Sequence, residues 1–298
     1  KFGSATTDDL FASLQEAYTE SRAVPYLDLK EIMDPWLDQT GFPLLNVTRD
    51  YETGIITISQ TDALNPDSNN RWMIPITYTT GIKQETNKTT PETRPTHWLR
   101  RGNESLELYD IDRDDFILLN VQNTGRSMKT KATLNPDSDY LIFLGFYQVT
   151  YDWRNWVRLA SFLNTESYHK IHVINRAQLF YDLDRFDFSE QAIDVTLHVM
   201  SYLSRERDYL PWMVAVDMIR DLNRRLENSY QHEMFRRFAR DLMKDMVHKL
   251  GFQDGDGDDN LAKLLRTKLI PLACALGNEE CKVVARQILL EKVRYNKT

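Results

Sequence analysis

Only two cysteines, no long apolar run and no excess of basic charge occur in this 298-residue sequence, and each shortage narrows what it can do. Without about 18 consecutive uncharged apolar residues, no helix of this stretch is expected to span a bilayer. Acidic residues outnumber basic ones by 44 to 37, a net charge of −7, so the electrostatic footprint of a nucleic-acid binder is missing. Lys1 to Leu10 carries no apolar h-region and does not start with Met, so no signal peptide is expected there. The glycine patterns that cradle phosphates, G-x-G-x-x-G and G-x-x-x-x-G-K-[ST], do not occur, nor does the serine elbow G-x-S-x-G. The zinc helix H-E-x-x-H is absent as well. Two His at i and i+4 share a helix face and can ligate a metal, but after His232 and Glu233 that position is Arg236, a permanent cation.

What is present is ordinary globular material, 42% hydrophobic and 27% charged, of a length that suits about two domains. Four N-glycosylation sequons occur: Asn46-Val47-Thr48, Asn87-Lys88-Thr89, Asn103-Glu104-Ser105 and Asn296-Lys297-Thr298. Three of them cluster in polar, turn-rich sequence, which points to an extracellular or lumenal setting. The two cysteines share one short stretch, "CALGNEEC" from Cys274 to Cys281. A close pair of this kind suits a metal site, a redox couple or a small disulfide loop. His169 and His172 stand i, i+3 without a third donor at suitable spacing, so packing or surface placement is expected. "DGDGDDN" (Asp254 to Asn260) has the look of a calcium loop, but Asp259 and Leu265 stand where an EF-hand needs Gly and Glu. It reads instead as an acidic turn in which Asp258 to Asn260 cap the next helix.

Periodicity divides the chain into three zones. From Ala5 to about Gln39 it is helical: Thr6 and Asp9 form a capping box, and Leu10, Phe11, Leu14 and Ala17 recur on one face. A second helix is expected from Leu29 to Leu37, kinked or ended by Pro35, with Gly41-Phe42-Pro43 as a stop. From Pro43 to about Asp152, short β-branched and aromatic runs alternate with Asn, Asp, Gly and Pro, which predicts a small antiparallel β-sandwich. From Trp153 onward, segments such as "HEMFRRFARDLMKDMVHKL" predict helices joined by short turns, in helical hairpins or a solenoid.

Six blocks occur in one order: "GFPLLNVTRDY", "NRWMIPITY", "FILLNVQNTG", "IHVINRAQLFYDL", "ERDYLPWMVAV" and "CALGNEEC". That order resembles the C-terminal half of zinc aminopeptidases of the aminopeptidase N type, most closely the insect midgut members, over nearly the whole chain. The resemblance implies an α+β multidomain chain. Residues 1–42 would be the last helices of a thermolysin-like catalytic domain, with Phe11 where relatives usually have Trp. Residues 43–152 would be a β-sandwich, and 153–298 the first part of a helical domain. Relatives run directly from "NVQNTG" into an aromatic strand, whereas here residues 126–145 are interposed, with Tyr140 to Leu144 as an apolar strand and "LNPDS" repeated from Leu64 to Ser68.

The same resemblance carries the functional expectations. The family's zinc helix, downstream Glu ligand, catalytic Tyr and G-A-M-E-N loop match no residue here, so no catalytic residue, metal ligand or cofactor is expected in this chain. Zinc and peptide hydrolysis would belong to the intact parent, which releases N-terminal residues from peptides. Cys274 and Cys281 match the family's short disulfide between neighbouring helices, a closure that should stabilise by roughly 2.5 kcal/mol. Asn175, Arg176 and Gln178 are expected to make structural polar contacts between domains. The implied role is to support the catalytic domain and help enclose the peptide cavity. The alternative is a stand-alone extracellular binding module, since insect relatives serve as receptors for bacterial toxins. The implied location is secreted or on the outer side of the cell membrane, with any anchor outside this chain.

Overall fold

Thr6 opens the first helix as the sequence predicts: its hydroxyl accepts from Asp9 N (3.3 Å), and its own N–H donates to the Asp9 carboxylate (2.8 Å). The computed structural model describes residues 4–21, 26–85, 95–123, 147–183, 190–255 and 257–295. Two units emerge, one holding the described residues up to Asn155 and the other those from Trp156 on. The expected Tyr140 to Leu144 strand and the interposed residues 126–145 lie outside the described residues.

In the first unit, α1 (Thr7–Glu20) lies against α2 (Leu29–Asp38). Of the predicted apolar face of α1 only Phe11 is buried, while Leu10 and Leu14 are exposed. Helix α2 does not end at Pro35 but runs on to Asp38. The residues around the proline are tied down from outside: Trp36 Nε1 donates to Met73 O (3.3 Å), and Gln39 Nε2 donates to Pro35 O and Arg71 O. Tertiary anchoring here outweighs the local penalty of a helical proline.

The strands follow as β1 (Pro43–Arg49), β2 (Ile56–Asp62), β3 (Ile74–Ile76) and β4 (Tyr78–Thr80), then the one-turn helix α3 (Gly81–Glu85), β5 (His97–Leu99), β6 (Ser105–Leu108), β7 (Ile117–Leu119) and β8 (Gln148–Tyr151). Four of them form a sheet in the order β6-β2-β1-β8, and β3/β5 and β4/β7 form two-stranded ladders. All pairs are antiparallel except β1/β8, which runs parallel with Leu45 opposite Val149. The expected all-antiparallel arrangement is therefore corrected at that edge. A parallel pair needs a long crossover, and the chain between β1 and β8 supplies it. Strict alternation sends Leu45, Val47, Ile56 and Ile58 into the core and leaves Asn46, Thr48, Thr57 and Ser59 on the other face. Polar links join sheet and ladders. Leu119 N donates to the Tyr151 hydroxyl (2.9 Å), and the Asn155 side chain both accepts from Ile117 N and donates to Ile117 O.

Helix α4 (Trp153–Leu163) contains the division between the units. The second unit continues with α5 (Val173–Leu183), α6 (Glu190–Ser201), α7 (Tyr209–Leu226), α8 (His232–Leu250), α9 (Asn260–Ala275) and α10 (Glu279–Tyr295). Its core is built on Trp156, Leu179, Phe180, Tyr202, Trp212 and Leu265. Helix α5 carries buried residues on all sides, polar ones included, and its packing against α7 organises the unit.

Candidate functional site

Burial of α5 sets the first chemical problem, because Asn175, Arg176, Gln178 and Asp182 are all buried with it. Buried polar groups are tolerable only when paired. Asn175 Nδ2 donates to Gln178 Oε1 (2.8 Å), and Gln178 Nε2 donates to Asp182 Oδ2 (2.9 Å). Arg176 grips Glu206 through Nε (2.7 Å) and Nη2 (3.2 Å), Asp208 through Nη2 (2.5 Å) and Ile171 O through Nη1 (2.6 Å). Its guanidinium also lies over the Tyr168 ring. Glu206 in turn accepts from the Tyr202 hydroxyl and from the backbone N–H groups of Arg207 and Asp208. Glu206, Asp208, Ile171 and Tyr168 all belong, like Arg176, to the second unit.

The electrostatics follow from this packing. Burial works against the Arg176 charge, but the Glu206 carboxylate, helped by Tyr202 and Asp208, more than offsets it, and the group is raised above its ordinary value. Burial, reinforced by Glu206, pushes the Tyr202 phenol well above its usual range. His172 is lowered, first by burial and then by the nearby Arg176 cation. The knot is thus an ion pair neutralised inside the fold, fixing the Arg205–Asp208 turn that leads into α7.

The second feature is a cavity of about 480 Å³ between the end of α5 and helices α6, α7 and α8. Ile193, Met218, Leu222, Met234, Phe235 and Phe238 supply most of its apolar wall, with Thr196, Asp221, Arg225 and Gln231 as polar members. Its size and apolar character suit a small hydrophobic group. Sequence reasoning missed it because each helix face, taken alone, reads as core. The available signal was a second apolar stripe on α8 at Met234 and Phe238.

The sequence-level decoys resolve into structural roles. Arg236 and Arg240 pair with Glu233 and also donate to Ala275 O and Leu276 O at the end of α9, where cations favour the helix dipole. His232 Nε2 contacts Asn223 Oδ1 (3.0 Å). His172 Nδ1 accepts from Ile174 N, and His169 meets Tyr168 edge-on. In the acidic turn, Asp254 and Asp258 hold the buried Arg266 (2.5 and 2.6 Å), and Asp259 caps α9 by accepting from Ala262 N. Among the described residues, no group of three or more His, Cys, Asp or Glu could hold a metal ion. The zinc that the resemblance implies for the parent therefore finds no donor set among them.

Cys274 and Cys281 are joined in a disulfide across the α9–α10 turn, with Cα atoms 5.5 Å apart. Gly277, at φ 91°, makes that turn, where an added Cβ would also come within 3.0 Å of Arg236 Nη2. Asn278 caps α10 by accepting from Cys281 N (3.0 Å). Of the sequons, Asn103 is exposed in the turn before β6 and Asn46 is half-buried in β1. Asn87 and Asn296 lie outside the described residues.

Comparison with known proteins completes the picture. Residues 143–297 match the family model of the ERAP1-like C-terminal domain. The chain is 30% identical to aminopeptidase N of Plutella xylostella over 99% of its own length and 29% of that protein's. It is 28% identical to the membrane alanyl aminopeptidase of Heliothis virescens, over 94% and 26% of the two lengths. It is 26% identical to the thyrotropin-releasing hormone-degrading ectoenzyme of Homo sapiens, over 100% and 27%. The chain spans less than a third of the length of each of these curated relatives. It belongs to the ERAP1-like C-terminal domain family, and along its whole length it resembles the C-terminal part of aminopeptidase N.

Proposed function

We propose that this chain is the non-catalytic C-terminal region of a zinc aminopeptidase that releases N-terminal residues from peptides, and that it supports the catalytic domain and helps enclose the peptide cavity. The observation that carries this reading is the likeness to aminopeptidases across 99% of the chain. Consistent with this reading, no group of three or more His, Cys, Asp or Glu among the described residues could hold a metal ion. In this reading residues 1–42 close the catalytic domain, 43–152 form the β-sandwich and 153–298 begin the helical domain. Arg176 and its neighbours act as scaffold, and peptide substrates and zinc belong to the catalytic domain. The relatives named as membrane or ectoenzyme proteins, together with the disulfide, support an extracellular location.

The test is an aminoacyl chromogenic substrate offered to the purified chain with added zinc. The expected outcome is no turnover above buffer, and chelator-sensitive turnover would contradict the reading. The alternative, a stand-alone extracellular binding or receptor module, draws support from the apolar cavity on α6, α7 and α8. It predicts saturable binding of a protein ligand, for example a bacterial toxin, by this chain alone, and loss of that binding when Leu222→Trp fills the cavity.

A further inference from the structure

Two of the four sequons lie in described residues, and their surroundings differ. Asn46 sits in the middle of β1, hydrogen-bonded through its strand to β2 on one side and β8 on the other, with Ser59 and Thr150 as its lateral neighbours. Leu45 and Val47, at 0% and 3% exposure, pin the strand on the core, and Asn46 itself is only half-exposed. Asn103 is exposed, as are Arg101, Gly102 and Glu104 around it. Its N–H donates to Arg100 O (3.1 Å) in a tight turn, and Gly102 has open space where a Cβ would point. Ser105, the hydroxyl partner of the sequon, begins β6, an edge strand that pairs with β2 in the four-stranded sheet.

We propose that Asn103 is an N-glycosylation site of the folded protein and that Asn46 stays unmodified. This rests on the extracellular reading above. The chemistry is a transfer without redox change: Asn103 Nδ2 forms a bond to C1 of the reducing-end sugar of a polyprenyl-diphosphate oligosaccharide. The C1–O bond breaks, the diphosphate departs with its electron pair, and one Nδ2 proton is released. At Asn103 the glycan projects from an open turn and displaces no packed atom, whereas at Asn46 it would rise from the centre of the sheet over β2 and β8.

The experiment is to pass the protein through the secretory pathway of mammalian cells and release its glycans with peptide-N-glycosidase in heavy-oxygen water. Label is then read at positions 103 and 46 by mass spectrometry. Alkylation of Cys274 and Cys281 reports separately whether the protein met an oxidising compartment. The expected result is label at Asn103, none at Asn46, and a loss of one glycan's mass in both Asn103→Gln and Ser105→Ala but not in Asn46→Gln. An intact disulfide with Asn103 unlabelled, or label at Asn46, overturns the proposal while leaving the extracellular reading standing. Free thiols with no label at either position overturn both.

Discussion

The two units solve the same problem by opposite routes. The helical unit is assembled from neighbouring and next-but-one helices: α5 meets α7, α7 meets α9, α8 meets α9, α9 meets α10, and the disulfide bridges seven positions. The sheet unit depends on partners far apart, above all the parallel pairing of β1 with β8 and the Asn155 link to Ile117. Local contacts cost little chain entropy to close, and distant ones cost more and form later. The helical unit nevertheless contains one costly element, the buried Arg176–Glu206 pair, at 3% and 0% side-chain exposure. A buried pair of this kind contributes little net stability while intact but is severely destabilising when halved.

The largest expected effect therefore breaks the comparison in favour of the sheet. Arg176→Ala strands Glu206 without its cation and should destabilise the second unit by about 3–5 kcal/mol. Chemical denaturation should show the helical transition shifted and the sheet transition in place. Arg176→Met combined with Glu206→Leu should recover much of the loss. Next, Ile58→Ala in the centre of the sheet, at 0% exposure, should cost about 2–5 kcal/mol and move only the sheet transition. Replacing both cysteines by Ser should then lower helical stability by roughly 2.5 kcal/mol, read as a lower denaturation midpoint with an unchanged first unit.

The smallest effect is a pH dependence confined to the sheet unit. Burial disfavours the Asp62 anion, but hydrogen bonds from Leu64 N, Asn70 Nδ2, Ser68 Oγ and Asn65 N outweigh it and hold the carboxyl below its ordinary value of 3.8. A depressed folded value adds stability that is present above about pH 4 and is lost as pH falls through the lower, folded value. Acid titration of Asp62→Asn should show a flatter decline below about pH 4 than the parent protein.

This contrast also explains what could be seen in the sequence. "HEMFRRFARDLMKDMVHKL" reads as a helix, and α8 spans His232–Leu250, because a 3.6-residue period is a local property. Short runs such as "SLELYDI" and "FILLNVQ" signal strands, yet nothing within them names a partner, so the parallel β1/β8 edge was invisible. Asp259 as a helix cap was readable from its place before an apolar run, but the seizure of Asp254 and Asp258 by Arg266 was not. Arg176, Glu206 and Asp208 all lie in blocks that carry the family resemblance, but nothing in the sequence ties the two carboxylates to a cation about thirty residues back. The apolar cavity stayed hidden because periodicity gives the width of a helix's apolar face but not whether a neighbour fills it.

The proposed function requires that the hydrolytic zinc of such an aminopeptidase be held by residues outside this chain. The most direct measurement is zinc content by atomic emission after the purified chain is incubated with zinc and dialysed. Far less than one zinc per chain is expected. One tightly held zinc per chain, removed by chelator and required for release of an N-terminal residue, would contradict it.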